Sequence, residues 1–253
     1  MSELIIDLNS DLGESPEALA NDSDLELMRS ITSANVACGG HAGDSATMTQ
    51  TLIAARDLNV AVGAHPSFPD RVNFGRIAMQ LPPQEIEQTV REQIASLKQI
   101  ADSLAIRVVH VKPHGALYHA ARQREVAEAI GRAALAIDRN LIMVGQAGSP
   151  TLDYWRAMGL RCAAEAFADR AYEADGTLRC RTLPGALNDL DGASAQAVEI
   201  ALHHRALTND GHTLAIDAQT ICIHSDTPGA PAIARAVRRQ LTSAGFTLSP
   251  LAL

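Results

Sequence analysis

The sequence predicts an α/β protein whose parallel sheet, covered by helices, forms an incomplete or distorted barrel. Seven short apolar runs alternate with helical patterns, and this strand-then-helix order favours a parallel sheet with helices on its faces. The length of 253 residues is typical of one barrel, so we expect a single domain spanning 1–253. No G-x-G-x-x-G follows the first strand, which argues against a dinucleotide-binding sheet.

The apolar runs and the periodic segments between them define the predicted elements. Strands are predicted at 4–8, 31–38, 60–64, 107–111, 141–145, 160–167 and 220–224. Helices are predicted at 16–29, 46–58, 84–104, 124–137, 150–158, 191–209 and 229–244. An irregular region covers 168–188, and its sequence Ala174-Asp175-Gly176-Thr177 is typical of a hairpin turn.

Composition and charge exclude several classes of protein. The net charge is -8 and no run of five basic residues occurs, so a nucleic-acid partner is not expected. No apolar run is long enough to span a membrane, and the first residues lead directly into a strand without a signal peptide, so we expect a cytoplasmic protein. The cysteines are scattered without a C-x-x-C pair, and we expect buried free thiols at Cys38, Cys162 and Cys222.

Polar and ionisable residues stand at nearly every predicted strand end. They are Asn9, Asp11, His41, His65, Lys112, His114, Gln146, Glu165, Asp169, Arg170, His224 and Asp226. Each residue taken singly has an ordinary structural explanation, such as a turn former, a structural histidine or a solvated charge. Their repetition favours a site, because the carboxyl ends of barrel strands meet at one mouth.

The residue types at this mouth narrow the chemistry. Histidines and carboxylates together suit acid–base catalysis near neutral pH, and they also suit a divalent metal ion. Spacing leaves these two open, since no H-E-x-x-H occurs. No G-x-S-x-G serine nucleophile and no G-x-x-x-x-G-K-S/T nucleotide loop occurs either. Lys112 and Arg170 suit an anionic or amide-bearing small molecule.

Five stretches, in order along the chain, resemble the LamB/YcsF family, the A subunits of 5-oxoprolinase. They are DLNSDLGE at 7–14, SANVACGGHAGD at 33–44, GAHP at 63–66 with FGR at 74–76, KPHGALY at 112–118, and EAFADR at 165–170. The resemblance extends from Asp7 to Asp226. The sequence departs from the family pattern at Ser225, where glycine is more usual, and at 187–189, where a more basic run is usual.

The resemblance implies an irregular seven-stranded β/α barrel, like those of polysaccharide deacetylases. It also implies ATP-dependent hydrolysis of the lactam of 5-oxo-L-proline to L-glutamate, performed together with subunits B and C. Because no nucleotide loop is visible, we expect the ATP site to be shared with these partners. We predict catalytic roles for Asp11, His41, His65, His114 and Glu165. We predict substrate-binding roles for Asn9, Asn35, Lys112, Arg170, His224 and Asp226.

Two other functions remain open from the sequence. One is a stand-alone, metal-dependent amide hydrolase or deacetylase with Asp11, His41 and His65 as metal ligands. The other is a substrate-binding subunit without chemistry of its own. If the chain is a 5-oxoprolinase subunit with His65 as a catalytic residue, His65 has to be held rigidly. Pro66 favours this, because proline restricts the preceding residue to an extended conformation.

Overall fold

The computed structural model describes residues 3–251, and its elements keep the predicted alternation of strands and helices. The first half contains β1 (Leu4–Leu12), α1 (Pro16–Ala20), α2 (Ser23–Met28), β2 (Ser33–Ala37), α3 (Ser45–Asp57), β3 (Ala61–His65), α4 (Pro83–Ser103), β4 (Val108–Val111), α5 (Gly115–Ala120) and α6 (Arg124–Ile137). The second half contains β5 (Ile142–Gln146), α7 (Pro150–Ala157), β6 (Arg161–Phe167), α8 (Leu190–His203), β7 (Arg205–Leu207), β8 (Thr213–Ala215), β9 (Thr220–Cys222), α9 (Ala230–Ser243) and β10 (Phe246–Leu248). The ends of the predicted domain, 1–2 and 252–253, lie outside the described residues.

Seven parallel strands close into a barrel. β1 to β6 pair in chain order, and β9 pairs with both β6 and β1, which joins the two edges. The closing register aligns Thr220 with Asp7 on one side and with Glu165 on the other. β10 pairs with the first residues of β1, beside the start of the barrel. The predicted seven-stranded parallel β/α barrel is therefore confirmed, and its closure brings the ends of all seven strands together.

The helices cover the barrel with apolar faces that have the predicted spacing. On α4, residues Ile86, Val90, Ile94 and Leu97 are each at most 3% exposed. They recur at helical intervals, so the helix buries one stripe and leaves its other side to solvent. Trp155 on α7 is fully buried, and its indole Nε1 donates a hydrogen bond of 2.8 Å to the carbonyl oxygen of Ala127. These contacts make the barrel the rigid frame of the strand ends.

Gly63 on β3 marks a place where the barrel interior has no room for a side chain. A Cβ atom built there would lie 2.2 Å from the imidazole of His110 on β4. We expect Gly63→Ala to lower the free energy of unfolding by about 1–3 kcal/mol, the usual cost of overpacking a core. Urea denaturation measures this difference. Gly131→Ala is the matched control, because there the new Cβ meets only the ends of side chains, those of Met158 at 2.9 Å and of Leu160 at 3.1 Å. Equal stability of Gly63→Ala and the native chain would contradict the expectation.

Two predicted helices are wrong in extent, each because of a residue in the left-handed conformation. The segment 16–29 forms two helices and not one, since Asp22 has φ 62° and interrupts the helical backbone. The helix predicted to continue to Asn209 ends at His203, because His204 has φ 51° and turns the chain into the β7–β8 hairpin. The short elements α5, β7, β8 and β10 were not predicted. They have too few residues to show a period.

Three smaller predictions are tested by the fold. The turn at 174–177 is confirmed by a backbone hydrogen bond of 2.8 Å from Glu173 N to Thr177 O. All four cysteines are free, and Cys38 and Cys222 are buried as predicted. Cys162 is only half-buried, because it is the second residue of β6 and lies at the end of the barrel where that strand begins. Among residues 3–251, no helix combines the length and apolar character that crossing a membrane requires.

Candidate active site

The carboxyl ends of the barrel strands surround a cavity, here called the barrel mouth. Because alternate residues of a strand face the same way, β1 directs Asn9 and Asp11 to the barrel interior. The other strands deliver their last residues, or the residues just after them, to the same end. Six of the predicted site residues border the mouth, namely Asp11, His65, Lys112, His114, Arg170 and His224.

A buried chain of charges crosses the floor of the mouth. Lys112 Nζ lies 2.9 Å from Asp11 Oδ1 and 2.9 Å from Glu165 Oε1. Burial by itself would lower the pKa of Lys112, but the acidic groups around it, Asp11 foremost, raise the pKa well above its usual value. The ammonium group is therefore charged at neutral pH. Glu165 is fully buried behind Lys112, and its other carboxylate oxygen accepts a hydrogen bond of 2.8 Å from the Tyr118 hydroxyl.

Two amides lie one layer deeper and hold these carboxylates in place. Asn35 Nδ2 donates to Asn9 Oδ1 at 2.7 Å and to Asp11 Oδ1 at 2.8 Å. Asn9 Nδ2 in turn donates to Glu165 Oε1 at 3.0 Å, and His110 Nε2 donates to Asn35 Oδ1 at 2.7 Å. The structure thus places Asn9 and Asn35 beneath the mouth, bonded to protein groups. Their substrate-binding roles stay predictions.

Three histidines and a glutamate form a second group beside Asp11, here called the Glu14–histidine cluster. His41 Nε2 lies 2.9 Å from Glu14 Oε1, and His114 Nδ1 lies 3.2 Å from the same oxygen. His65 Nε2 lies 3.0 Å from His114 Nδ1 and 3.5 Å from Asp11 Oδ2. The rings of His41 and His114 are stacked with centroids 3.7 Å apart. His41 is therefore one layer behind the mouth, with His114 between it and the cavity.

Burial and charge set different protonation states within this cluster. Burial lowers the pKa of His41 to about 4 and also lowers the pKa of His114. Burial opposes the charged form of His65 as well, but the Asp11 carboxylate outweighs it and raises the pKa of that imidazole. Burial likewise opposes ionisation of Glu14, yet its contacts with His114 and His41 hold its pKa below the usual value. Within one cluster the pKa values of His41 and His114 are thus lowered and that of His65 is raised, a difference that suits acid–base chemistry.

His224 is oriented by a buried carboxylate on the opposite wall. Its Nδ1 lies 3.1 Å from both carboxylate oxygens of Asp169, and its ring stacks on Phe167 at 5.3 Å between centroids. Burial would raise the pKa of Asp169, but His224 and the hydroxyl of Thr227 lower it below the usual value. Since Nδ1 faces Asp169, Nε2 is the ring atom of His224 available to a ligand.

Arginines surround the outer rim of the mouth. Asp226 accepts hydrogen bonds from Arg76 and from Arg181, the latter at 2.8 Å, and so links the loop after β3 to the irregular segment after β6. Arg170 is 6% exposed and donates from Nη2 to the carbonyl oxygen of Arg179 at 2.6 Å. Lys112 and these guanidinium groups give the mouth several cationic hydrogen-bond donors, most of them paired with Asp11, Glu165 or Asp226, and such donors suit an anionic ligand. Asp226, predicted to bind substrate, is occupied by the two arginines, and its role stays a prediction.

Sequence reasoning did not single out several groups of this site. Glu14 lies in the first family stretch, but two residues separate it from the strand-end position of Asp11. Tyr118 comes from α5, and Arg76 and Arg181 come from loops without regular structure. The signal for His110 was available, since it precedes Lys112 by two residues and therefore shares its side of β4.

The comparison with known protein families agrees with the motifs. Residues 6–253 match the sequence model of the LamB/YcsF family. The chain belongs to the LamB/YcsF family. Among relatives of this LamB/YcsF protein, the 5-oxoprolinase A subunit of Chloroflexus aggregans is 48% identical over 97% of this chain and 98% of its own length. The 5-oxoprolinase A subunit of Bordetella pertussis is 46% identical over 96% of this chain and 97% of its own length.

Solved structures show the same fold. The lactam utilization protein from Thermus thermophilus is 41% identical and superposes with a TM-score of 0.90, over 97% of this chain and 99% of that chain. A family 4 carbohydrate esterase from Streptomyces lividans, 12% identical, superposes with a TM-score of 0.51 over 98% of this chain and 93% of that chain. At that identity the similarity shows the fold alone, which is the deacetylase-like barrel predicted for this LamB/YcsF chain.

Proposed function

We propose that this chain is the A subunit of an ATP-dependent 5-oxoprolinase that hydrolyses the lactam of 5-oxo-L-proline to L-glutamate. Relatives with this name align over nearly their full lengths, and the lactam utilization protein supports a cyclic amide as substrate. Relatives named as the A component of an enzyme imply further components, which we take to be subunits B and C. The small-molecule substrate carries one carboxylate, in keeping with the cationic donors at the mouth.

The observation that carries this proposal is the presence of a charged ammonium group and two imidazoles on one cavity wall. Hydrolysis of a lactam adds water to the carbonyl carbon, places negative charge on the carbonyl oxygen and breaks the C–N bond, whose nitrogen takes a proton. Lys112 and Arg170 supply positive charge for the developing oxyanion and the carboxylate. His65 and His114, next to Asp11, supply the base that removes a proton from water.

The remaining polar groups of the site hold the reacting side chains in fixed orientations. Glu165 and Asp11 hold the Lys112 ammonium between them, so its direction is fixed before substrate enters. Asp169 holds the His224 ring with Nε2 available, and this nitrogen is our candidate for binding the ring amide. His41 supports His114 through ring stacking. Groups held in this way are not reoriented during the reaction, which is where much of catalysis by electrostatic stabilisation originates.

The role of ATP is to activate the amide, which by itself reacts slowly with water. Transfer of the γ-phosphoryl group from ATP to the lactam oxygen releases ADP and makes the ring carbon more electrophilic. Water then adds to this carbon, and the C–N bond breaks as its nitrogen takes a proton, which leaves an acyl phosphate. A second water hydrolyses the acyl phosphate to the carboxylate and phosphate. The sequence contains no G-x-x-x-x-G-K-S/T loop, so we assign the ATP site to the partner subunits or to a surface shared with them. The guanidinium groups of Arg76 and Arg181 at the rim suit a phosphorylated ligand.

A reconstitution assay tests the proposal. We expect glutamate formation from 5-oxo-L-proline and ATP to be slow with this chain alone and fast with subunits B and C added, because the chain lacks a recognisable nucleotide loop. Glutamate and ADP are measured together, with ATP omitted as the control. Full ATP-coupled turnover by the chain alone would contradict the partner requirement. Absence of turnover in every combination would contradict the proposed function itself.

A further inference from the structure

The Glu14–histidine cluster brings four potential ligand atoms to one point. One atom from each of Glu14, His41, His65 and His114 lies within 4.8 Å of all the others. The shorter separations are 2.9 Å and 3.2 Å from Glu14 Oε1 to His41 Nε2 and His114 Nδ1, and 3.0 Å between His65 Nε2 and His114 Nδ1. The four side chains are at most 7% exposed, so little water reaches them.

Backbone carbonyls fix which ring nitrogens carry hydrogen. His65 Nδ1 lies 2.7 Å from the carbonyl oxygen of Lys112, and His114 Nε2 lies 3.0 Å from that of Phe74. A carbonyl oxygen only accepts, so both of these nitrogens must donate. In the neutral rings, the lone pairs are then at His65 Nε2 and His114 Nδ1. These two atoms face each other at 3.0 Å, with the Glu14 carboxylate beside them. Such an arrangement is repulsive without a cation between the atoms.

We propose that the Glu14–histidine cluster binds one divalent transition-metal ion of the zinc class. The ligand atoms are Glu14 Oε1, His65 Nε2 and His114 Nδ1. His41 is not a ligand, because its ring is parallel to that of His114 with centroids 3.7 Å apart, so the two rings cannot both direct a nitrogen at one ion. Zn–N bonds of about 2.0–2.1 Å in a tetrahedral site put neighbouring ligand atoms about 3.3 Å apart. The separations measured here lie on both sides of that value: 3.0 Å between the two ring nitrogens, and 3.2 Å and 3.8 Å from Glu14 Oε1 to His114 Nδ1 and His65 Nε2.

The surroundings of the rings also match those of metal ligands. A histidine that binds a metal usually donates its other N–H to a carbonyl or carboxylate, which fixes its tautomer and direction. His65 and His114 both do this through the carbonyls of Lys112 and Phe74. Two imidazoles and one carboxylate favour zinc and its neighbours over Mg²⁺ and Ca²⁺, which prefer oxygen ligands. The ion would take the lone pairs of His65 Nε2 and His114 Nδ1, which the proposed hydrolase function assigns to the base, so these two rings act as the base only in the metal-free protein.

A proton is the competing explanation, because a protonated His65 also relieves the repulsion by donating from Nε2 to His114 Nδ1. A calorimetric titration of the metal-free full-length chain with Zn²⁺ distinguishes a bound metal ion from a shared proton. We expect one equivalent of Zn²⁺ to bind, with an affinity weakened about a hundredfold or more in Glu14→Gln and in His114→Gln, each of which removes a ligand. His119→Gln is the matched control, since His119 borders the same mouth outside the cluster.

Co²⁺ provides an independent readout, because a four-coordinate site gives it visible absorption bands that should disappear in the same two variants. Melting curves show whether each variant is folded. One folded variant is enough to decide the outcome. Absence of stoichiometric Zn²⁺ binding by the native chain overturns the proposal in favour of the shared proton. Binding of equal strength in the native chain and both variants also overturns it, as adventitious binding elsewhere. No substrate is present, so failure of the hydrolase assay has no bearing on this result.

Discussion

His65→Ala is expected to lower turnover of the reconstituted complex about a hundredfold or more, the usual effect of removing an acid–base group. The ring of His65 is 1% exposed and lies 3.5 Å from Asp11 Oδ2 and 3.0 Å from His114 Nδ1. Its Nδ1 donates to the Lys112 carbonyl, and the loop after it is fastened by a hydrogen bond from His114 N to Pro66 O. The imidazole is therefore held in one orientation, as a group that meets a reacting atom has to be.

Turnover has to be measured per folded molecule, together with the melting temperature of the same preparation. His203→Ala serves as the control, because His203 is exposed on α8 away from the mouth. A purely structural role for His65 gives a different result: the variant would melt at a lower temperature and retain nearly its full activity. That outcome would remove His65 from the catalytic group.

Lys112→Met is expected to cost about 3–5 kcal/mol of unfolding free energy at neutral pH, the scale for removing one partner of a buried ion pair. Lys112 Nζ lies 2.9 Å from a carboxylate oxygen of each of two acids, Asp11 and Glu165, which are at most 5% exposed. Methionine has a similar length but no charge, so the two carboxylates would remain buried without their cation. Urea denaturation of the isolated chain measures the loss.

A second substitution separates this electrostatic effect from a packing defect. Glu165→Gln removes one of the two negative charges and keeps the shape of the side chain. In the Lys112→Met background it should recover part of the lost stability, whereas in the native background it should destabilise, since it then breaks the pair. Additive effects of the two substitutions in a double-mutant cycle would show that their charges are not coupled.

The sequence was a good guide wherever the chain runs regularly from strand to mouth. Asp11, His65, Lys112 and His114 were predicted from their positions at strand ends, and all four border the cavity. The rule works because a parallel barrel sends the carboxyl ends of its strands to one place. The helix α6 was predicted with its observed limits, 124–137, because its apolar spacing is strong and its interior lacks proline.

The rest depends on tertiary contacts that leave no local signal. Glu14 joins the site because Gly13, with φ 69°, turns the chain back after β1. Tyr118 reaches Glu165 across 47 positions of sequence, and Asp226 reaches Arg76 across 150. The arrangement of Asn9 and Asn35 beneath the mouth follows from strand register, which no periodicity reveals. Residues that bind or support a site from another element are therefore recognised only once the barrel is closed.

The cationic residues at the mouth contrast with the net negative charge of the whole chain. The protein carries a net charge of -8, yet Lys112, Arg76, Arg170 and Arg181 border the cavity. The net charge repels a small anion, but charges more than roughly one Debye length away, about 8 Å at physiological ionic strength, are largely screened, so an anion at the mouth interacts mainly with the donors of these four residues. Anions that reach the mouth are held there against a repulsive background. Capture is thus confined to the cavity, and the rate of capture is set by salt as well as by shape.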